Sequence, residues 1–352
     1  MRFIPALLAL LLLARPAGAA DLKEVIFASG DPSVSVATAP YTSLQQALGL
    51  PQKFAGVTVK VQPTAGATAA SQAVASGNAF YAFGGLASLI VAGQKDPNLV
   101  VFSYGEGQSF RIVVPAASPI KSMAELKGKV IGTQSLGAAA YLFGRALVKQ
   151  AGLDPDRDVK FLAVGVGAQA ANALKSGAIA AYSGYDNPDA IISILLREKL
   201  RELASPLNDL VGGSGLLVRR DNLVKYPEVA AGLCKAFYTA LLFAAANPEA
   251  AVQTHWRAYP DQRPSNTAPE QALADGVTIL TTRLDTLAKP GANGLYGYQT
   301  VEAMQQTADT LRGAGLVAER ADMASISDQR FRDSCGKLDV AAITAEAKAF
   351  KP

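Results

Sequence analysis

Residues 59–84 read VKVQPTAGATAASQAVASGNAFYAFG, and 100 positions later residues 159–184 read VKFLAVGVGAQAANALKSGAIAAYSG. Both stretches predict a strand, a helix, a Ser-Gly stop, a second strand and a glycine loop. Ser76-Gly77 and Ser176-Gly177 stand where a helix C-terminus favours a residue free to adopt positive φ. A repeat on equivalent elements predicts a duplicated α/β lobe, with chance similarity in an Ala/Gly-rich chain as the alternative.

The same alternation extends outside the repeat. Short Val/Ile/Phe-rich runs alternate with Ala/Leu-rich helical stretches as far as about residue 220, which predicts βα units and a largely parallel sheet. The predicted strands are Lys23–Ala28, Val57–Gln62, Ala79–Phe83, Leu99–Tyr104, Lys129–Gly132 and Val159–Val164. From about Tyr226 onward, apolar residues recur at three- and four-residue steps, which predicts helices packed around the sheets.

The first 19 residues have the order of a secretory leader. Arg2 is followed by an apolar run from Phe3 to Ala14 and by small residues up to Ala19. This order predicts a signal peptide at residues 1–19, cleaved after Ala19 or, alternatively, after Ala20. A retained membrane anchor is the other interpretation, but the run is shorter than the roughly 20 residues a membrane span needs. Because no cysteine lies at the cleavage point, we expect no lipid anchor there.

Length and charge narrow the class of protein. Without its leader the 352-residue chain keeps 333 residues and a formal charge of +2, because the leader carries two arginines and no acid. That length predicts two lobes. Near-neutrality without Lys/Arg clusters argues against a nucleic-acid or membrane-surface partner. With 50% hydrophobic and 18% charged residues, the chain has ample material for buried sheets.

The chain has two cysteines, Cys234 and Cys335, and the leader directs it to an oxidising compartment. We therefore expect a disulfide between them, with two separate buried thiols as the alternative.

In open parallel sheets, ligands bind at the carboxyl ends of the strands. The predicted cleft loops are 28–33, 83–86, 104–108, 133–137 and 183–187. The candidate ligand-binding residues in these loops are Ser29, Gly30, Asp31, Gly84, Gly85, Tyr104, Ser135, Gly137, Tyr185 and Asp186.

Ser135, Gly137 and Asp186 carry the chemistry of this prediction. Ser135 and Gly137 are expected at the start of a helix running to Gln150, where free amides and the helix dipole favour an anion; an ordinary helix cap is the alternative. Asp186 could accept a hydrogen bond from an amino or amide group of a ligand. Asp186-Asn187-Pro188 is equally well interpreted as a turn that begins the next helix.

Other residues favour structural roles. We expect Glu106 to be a solvated loop carboxylate and Arg111 to form an ion pair within the protein. Residues 165–170, GVGAQA, imitate a dinucleotide fingerprint, but a tight strand-to-helix turn explains them better. The single histidine, His255, and the single tryptophan, Trp256, are expected to pack in the core. No nucleophile motif is apparent, so the sequence gives poor support for catalysis and none for a cofactor.

Residues 120–132, IKSMAELKGKVIG, allow a more specific interpretation. Ser122 can cap a helix whose Glu125 reaches back to it, and Gly128 can end that helix before the next strand. This passage, with residues 135–159 and 173–177, resembles the periplasmic substrate-binding proteins of nitrate, sulfonate and taurine ABC transporters. The similarity spans most of residues 22–250.

The resemblance implies a periplasmic-binding-protein fold of two α/β lobes joined by a hinge around a ligand cleft. The first lobe would hold residues 20–113 and 213–352, and the second residues 114–212. The glycines of residues 212–215 would lie in the return crossing, where they suit a hinge.

The function that the resemblance implies is capture of a small solute for import. The protein would act as a periplasmic monomer, bind a sulfonate, nitrate or taurine-like zwitterion, and deliver it to permease and ATPase subunits. Relatives of the group include thiamine-pyrimidine-forming enzymes and binders of pyrimidine precursors or aromatic carboxylates. A sensory binding module is a further alternative.

Overall fold

The computed structural model describes residues 22–107, 109–136 and 138–352. The predicted signal peptide and the candidate ligand residue Gly137 lie outside these described residues.

Ten strands form two five-stranded sheets. The strands are β1 (Glu24–Ser29), β2 (Thr58–Pro63), β3 (Tyr81–Gly85), β4 (Leu99–Gly105), β5 (Arg111–Pro115), β6 (Val130–Thr133), β7 (Lys160–Ala163), β8 (Ala181–Gly184), β9 (Leu200–Glu202) and β10 (Ser214–Arg219). The six strands predicted from the sequence are confirmed to within two residues at each end.

Helices surround both sheets. They are α1 (Ser43–Ala47), α2 (Leu50–Ala55), α3 (Ala67–Ala75), α4 (Leu86–Lys95), α5 (Ala139–Gln150), α6 (Ala168–Lys175), α7 (Asp186–Leu196), α8 (Arg220–Lys225), α9 (Pro227–Ala246), α10 (Pro248–Ala258), α11 (Pro269–Leu287), α12 (Val301–Gly313), α13 (Met323–Ile326), α14 (Arg332–Gly336) and α15 (Val340–Ala349). Short 3₁₀ turns occupy Val36–Tyr41, Met123–Leu126, Pro206–Asp209, Pro260–Gln262 and Ala292–Gly294.

The two sheets have the same topology. The first has the order β2-β1-β3-β10-β4 and the second the order β7-β6-β8-β5-β9. In each sheet three parallel strands are followed by one antiparallel strand, β10 in the first and β5 in the second. In each sheet this antiparallel strand is the one that directly follows a crossing between the sheets, β5 after the first crossing and β10 after the return. The predicted two-lobed α/β fold is confirmed.

The chain passes from the first sheet to the second between β4 and β5, and returns between β9 and β10. We therefore propose that the lobes meet near residues 106–110 and 203–213, close to the boundaries at 113 and 212 expected from the sequence. Gly212, at the end of the return crossing, has φ +67°, a conformation that suits glycine.

The first lobe has the larger core. Val25 and Phe27 on one face of β1 pack in a cluster with Leu233 and Phe237 of α9, whereas Ala28 faces the cluster on the other side of the sheet. Helix α9 is long and apolar enough to span a membrane, but most of its residues are buried inside this core.

The predicted disulfide is present and joins α9 to α14. Cys234 and Cys335 are bonded, with their Cα atoms 5.3 Å apart, and the two residues are 101 positions apart in sequence. Both residues are buried, so the bond holds the C-terminal segment onto the first lobe.

Local signals are confirmed in part: Gly128 has positive φ after the segment that Ser122 precedes, but this segment is a 3₁₀ turn and the Ser122 side chain caps no backbone amide in it. Ser122 precedes the 3₁₀ turn Met123–Leu126, and its hydroxyl donates to Glu125 Oε1 at 3.0 Å. Gly77, Gly128 and Gly177 all have positive φ at the ends of their helices or turns. The predicted tight turn at residues 165–170 is confirmed, with Gly165 and Gly167 at positive φ immediately before α6.

Candidate functional site

A cavity of about 80 Å³ lies between the two lobes, at the carboxyl ends of the parallel strands. Its walls include Gly30 after β1 and Gly84 in β3, together with Gln134 after β6 and Tyr185 after β8. Equivalent loops of the duplicated unit therefore face one another across the cleft, as expected where ligands bind open α/β sheets.

Five of the ten candidate ligand residues line this cavity: Gly30, Asp31, Gly84, Gly85 and Tyr185. Gly84 permits β3 and the start of α3 to approach closely within the first lobe, because a Cβ atom there would overlap the side chain of Ala67.

Four other described candidates do not line the cavity, and three of them, Ser29, Tyr104 and Asp186, are buried in the protein. Ser29 is buried at the end of β1, where its hydroxyl donates to Asp31 Oδ2 at 3.2 Å. Tyr104 is buried and bonds the hydroxyl of Ser327, so it does not reach the cavity. Asp186 is fully buried and engaged by protein groups.

Ser135 is not at the start of the helix as predicted. Helix α5 begins at Ala139, and its N-cap is Ala138; Ser135 is exposed in the turn before it. The amide of Ala138 donates to the Ser135 carbonyl at 3.2 Å, so a separate turn precedes the helix. The cavity is lined instead by the first residues of the helix, Ala139 and Ala140.

Two helix N-termini from opposite lobes meet at the cavity. Ala67 begins α3 and Ala139 begins α5, and both line the wall. The first amides of a helix have no acceptor within the helix, and the N-cap residues Gly66 and Ala138 provide no side-chain cap. These amides and the helix dipoles favour a negatively charged group.

Arg283 of α11 is a buried cation at the cavity wall. One guanidinium nitrogen, Nη2, lies 3.2 Å from Asp31 Oδ1 and 3.2 Å from Asp186 Oδ1. Its Nε is buried without a partner among the described residues. Arg283 thereby connects a carboxylate that follows β1, in the first lobe, with one that follows β8, in the second.

Neighbouring groups fix the orientation of both carboxylates. Tyr41 donates to Asp31 Oδ2 at 3.0 Å, and Thr286 donates to Asp186 Oδ2 at 3.0 Å. The Arg283 guanidinium lies 5.7 Å from the ring centre of Tyr185. The arrangement is a buried ionic network in which hydrogen bonds hold both carboxylates, and low-dielectric surroundings strengthen it.

The network keeps Arg283 charged. Burial acts to lower its pKa, but the negative charges of Asp186 and Asp31 outweigh burial and raise the pKa above its ordinary value. Burial raises the pKa of Tyr185, so its hydroxyl stays neutral. The cavity wall thus carries a permanent cation beside a neutral phenol.

Asp189, one turn after Asp186 in α7, is buried, and both its carboxylate oxygens lack a hydrogen-bond partner among the described residues. Arg111 Nε lies 3.8 Å away, and Arg111 Nη1 lies 3.2 Å from Glu202 Oε2. Burial raises the pKa of Asp189 well above its usual range despite Arg111. The predicted internal ion pair of Arg111 is confirmed.

Glu106 differs from its prediction as a solvated loop carboxylate. It is partly buried and accepts a hydrogen bond from the side-chain amide of Gln299, and burial raises its pKa. The residue that covers it comes from the C-terminal helical region, a contact 193 positions away that the loop sequence does not reveal.

His255 and Trp256 pack in the core of the first lobe, as predicted. His255 Nδ1 lies 3.0 Å from Ser43 Oγ, and its Nε2 lies 2.9 Å from Gln262 Oε1. Burial lowers the pKa of this imidazole. The histidine is therefore a neutral, fully bonded residue that does not line the cavity.

The sequence interpretation missed the wall residues that follow no parallel strand. These are chiefly Phe110 before β5, Ser214 at the start of β10, and Arg283 and Thr286 in α11. Arg283 had a detectable signal, since Gly276, Leu280, Arg283 and Leu287 share helical spacing on the buried face of α11. A charged residue on an apolar face predicts a buried partner.

The family model described as NMT1/THI5 like matches residues 53–251, more than half of the chain. The chain belongs to this family. Comparison with curated protein sequences gives no significant match.

Solved structures share the fold of this NMT1/THI5-like protein. The periplasmic aliphatic sulphonate binding protein SsuA from Escherichia coli has a TM-score of 0.65 at 21% identity, over 87% of this chain and 92% of its own. The alkanesulfonate-binding protein SsuA from Xanthomonas axonopodis pv. citri, bound to MOPS, has a TM-score of 0.63 at 18% identity, over 88% and 99%. The desulfurization enzyme DSZB has a TM-score of 0.55 at 14% identity, over 89% and 98%.

These similarities confirm the periplasmic-binding-protein fold. At such identities they concern the fold alone, which hosts both binding proteins and an enzyme, so the function of this NMT1/THI5-like protein has to be argued from its own site.

Proposed function

We propose that this protein is the periplasmic solute-binding component of an ABC importer and captures a small organic acid, with a sulfonate favoured. It would deliver this solute to permease subunits driven by a separate ATPase. The observation that carries the proposal is the cavity between the lobes, where the N-termini of α3 and α5 and the cation Arg283 come together.

The geometry supports an acidic ligand because donors converge from both lobes. Amides at Ala67 and Ala139 approach from opposite sides, and Arg283, whose Nε has no partner among the described residues, adds a charged donor at the wall. A sulfonate offers three acceptor oxygens to such a set. Binding across the cleft would hold the lobes together, which is how a hinged receptor converts ligand contacts into closure.

A taurine-like zwitterion also fits the site, but its amino group would not meet Asp186, the carboxylate expected from the sequence. Asp186 is fully buried and engaged by Arg283 and Thr286, whereas Asp31 lines the cavity. The amino group of such a ligand would therefore meet Asp31.

A receptor role is also supported by the state of the reactive side chains. Cys234 and Cys335 are joined in the disulfide, and His255 is buried behind the sheet with both ring nitrogens engaged. The cavity wall offers ligand donors and acceptors: Asp31 and Arg283 are held in an ion pair, and Tyr185 is a neutral phenol.

A thermal-shift panel on the protein without residues 1–19 tests the proposal. Ethanesulfonate, taurine, nitrate, benzoate and an aminopyrimidine would each be added over a concentration series. A ligand at 100 times its Kd should add about 2.7 kcal/mol of stability. We expect the largest rise with a sulfonate; a rise with the aminopyrimidine alone, or turnover of any of these compounds, would contradict the proposal.

A further inference from the structure

A second cavity of about 150 Å³ adjoins the first and differs from it in chemistry. The two cavities share four wall residues, Gly85, Phe110, Ala139 and Gly213. The remaining wall of this second cavity, here termed the annex, is mainly apolar: Leu86, Val91, Leu142, Phe143, Leu311 and Leu316.

The annex has no charged wall residue among the described part of the chain, and its polar lining consists of Thr68 and Ser88. The adjoining cavity holds Asp31 and Arg283. A ligand that fills both spaces must therefore carry its charge at one end and apolar atoms at the other, because an ion moved into the annex would lose its solvation without gaining a partner.

Both lobes and the C-terminal region build the annex. Helix α4 belongs to the first lobe and α5 to the second, and Leu311 and Leu316 lie on and just after α12. These two leucines lie outside residues 53–251, which the family model matches. Part of the wall around the apolar end of the ligand would thus come from outside the region that the family model matches.

Aromatic packing forms the boundary between the two spaces. Phe110 lines both cavities, and its ring stacks on that of Phe143 with the centroids 5.4 Å apart. A Cβ atom on Gly85 would stand 3.1 Å from the Phe110 ring. The glycine therefore leaves room beside the ring where a chain can pass from one cavity to the other.

The exposure of Leu142 indicates that binding of an apolar group in the annex would be favourable. This large apolar side chain is 50% exposed although it lies on the annex wall. An apolar group inserted there would remove Leu142 and its neighbours from water, which favours binding in proportion to the area covered.

We infer that the ligand is an amphipathic organic acid whose alkyl chain or ring occupies the annex while its acidic group stays between α3 and α5. This inference rests on the proposed function. An occupied annex would make the affinity depend on the chain length of the ligand, which the acidic site alone would not do.

A series of alkane-1-sulfonates from methane to octane, titrated calorimetrically into the protein without residues 1–19, tests it. Each added methylene should tighten binding about three- to four-fold until the annex is full, after which the Kd should level off. Equal affinity along the series would overturn the inference and leave the acidic site standing. If no member of the series binds, the proposed function fails and the inference fails with it.

Variants test whether the gain comes from the annex. Ala87 lies on its wall and is partly exposed in α4, so Ala87→Leu should fill space there and remove most of the gain with chain length. Val91→Phe is a second variant that should fill space in the annex and have the same effect. Ala345→Leu, on the exposed side of α15, is the matched control and should keep the gain. An unchanged chain-length dependence in both filled variants would show that the chain lies elsewhere.

Discussion

Arg283 is the residue on which the cleft depends most. Its side chain is 6% exposed and lies between two carboxylates from different lobes. Burial of a cation is tolerated only while its carboxylate partners are present, because an unpaired buried charge is strongly destabilising. Burial of the two carboxylates depends on the cation for the same reason. Arg283 therefore connects the lobes, and we propose that it is also a donor to the ligand.

Replacing Arg283 should be costly for that reason. Arg283→Gln leaves Asp31 and Asp186 buried without their cation, and we expect a loss of about 3–5 kcal/mol in the free energy of unfolding, measured by urea denaturation. Arg157→Gln is the control, because Arg157 is 84% exposed in a surface pair with Asp154 and its replacement should leave the free energy of unfolding nearly unchanged.

Adding Asp186→Asn to Arg283→Gln should recover part of the loss, since one unpaired charge is removed. Equal stability of the Arg283 and Arg157 variants would show that the network contributes nothing to folding.

Asp189 gives a pH-dependent prediction at the same scale. Its pKa is raised by burial in the folded protein, so its contribution to stability is fully present below the ordinary value of 3.8 and is lost as pH rises through the folded pKa. Asp189→Asn removes this loss. Relative to the unchanged protein, the variant should gain in thermal midpoint between pH 4 and pH 7.

Asp261→Asn, at an exposed position, is the control and should show a smaller change between the two pH values. A constant difference for Asp189→Asn across the pH range would mean that Asp189 is ionised at no cost.

At the scale of elements, the N-termini of α3 and α5 form the candidate anion site because both helices begin without a side-chain cap. Ser-Gly stops and glycine turns were readable from the sequence, since local backbone geometry decides them. The start of α5 was not: serine is a preferred N-cap residue, which favoured Ser135, whereas the helix begins at Ala139 with Ala138 as its N-cap.

The disulfide is an element-scale constraint with a measurable effect. It joins α9 to α14 across 101 positions, and closing a loop of that length stabilises a fold by up to about 4–5 kcal/mol in the chain-entropy model. Cys234→Ala with Cys335→Ala should therefore lower the urea midpoint, and reductant should have the same effect on the unchanged protein. A reductant-insensitive midpoint would show that the bond adds no stability.

At the scale of the whole molecule, the duplicated βα unit predicted both sheets because the two copies carry the same succession of local signals. The shared order of strands in the two sheets explains why a match at an offset of 100 is informative. What the sequence could not supply was contact across the cleft. Arg283 of α11, in the first lobe, meets Asp186 of α7, in the second, and only the packed molecule brings them together.

The same limit applies to the candidate residues. Loops after the parallel strands were predicted correctly as the cavity region because topology fixes the edge at which they meet. Tyr104, near the end of β4, and Asp186, at the start of α7, were expected in such loops, yet both are buried, and Ser327 and Arg283 bind them. Position on a strand predicts the region, whereas the side-chain partners from the C-terminal helices decide which residues face the ligand.

The central claim is that the cavity between the lobes binds an organic acid. Its most direct test is a calorimetric titration of butane-1-sulfonate into the protein without residues 1–19. The account predicts saturable binding of one molecule per chain, weakened at least ten-fold when Ala139→Asp places a negative charge at the start of α5 on the cavity wall. Binding that is absent, or that is as tight in the Ala139→Asp variant, would contradict it.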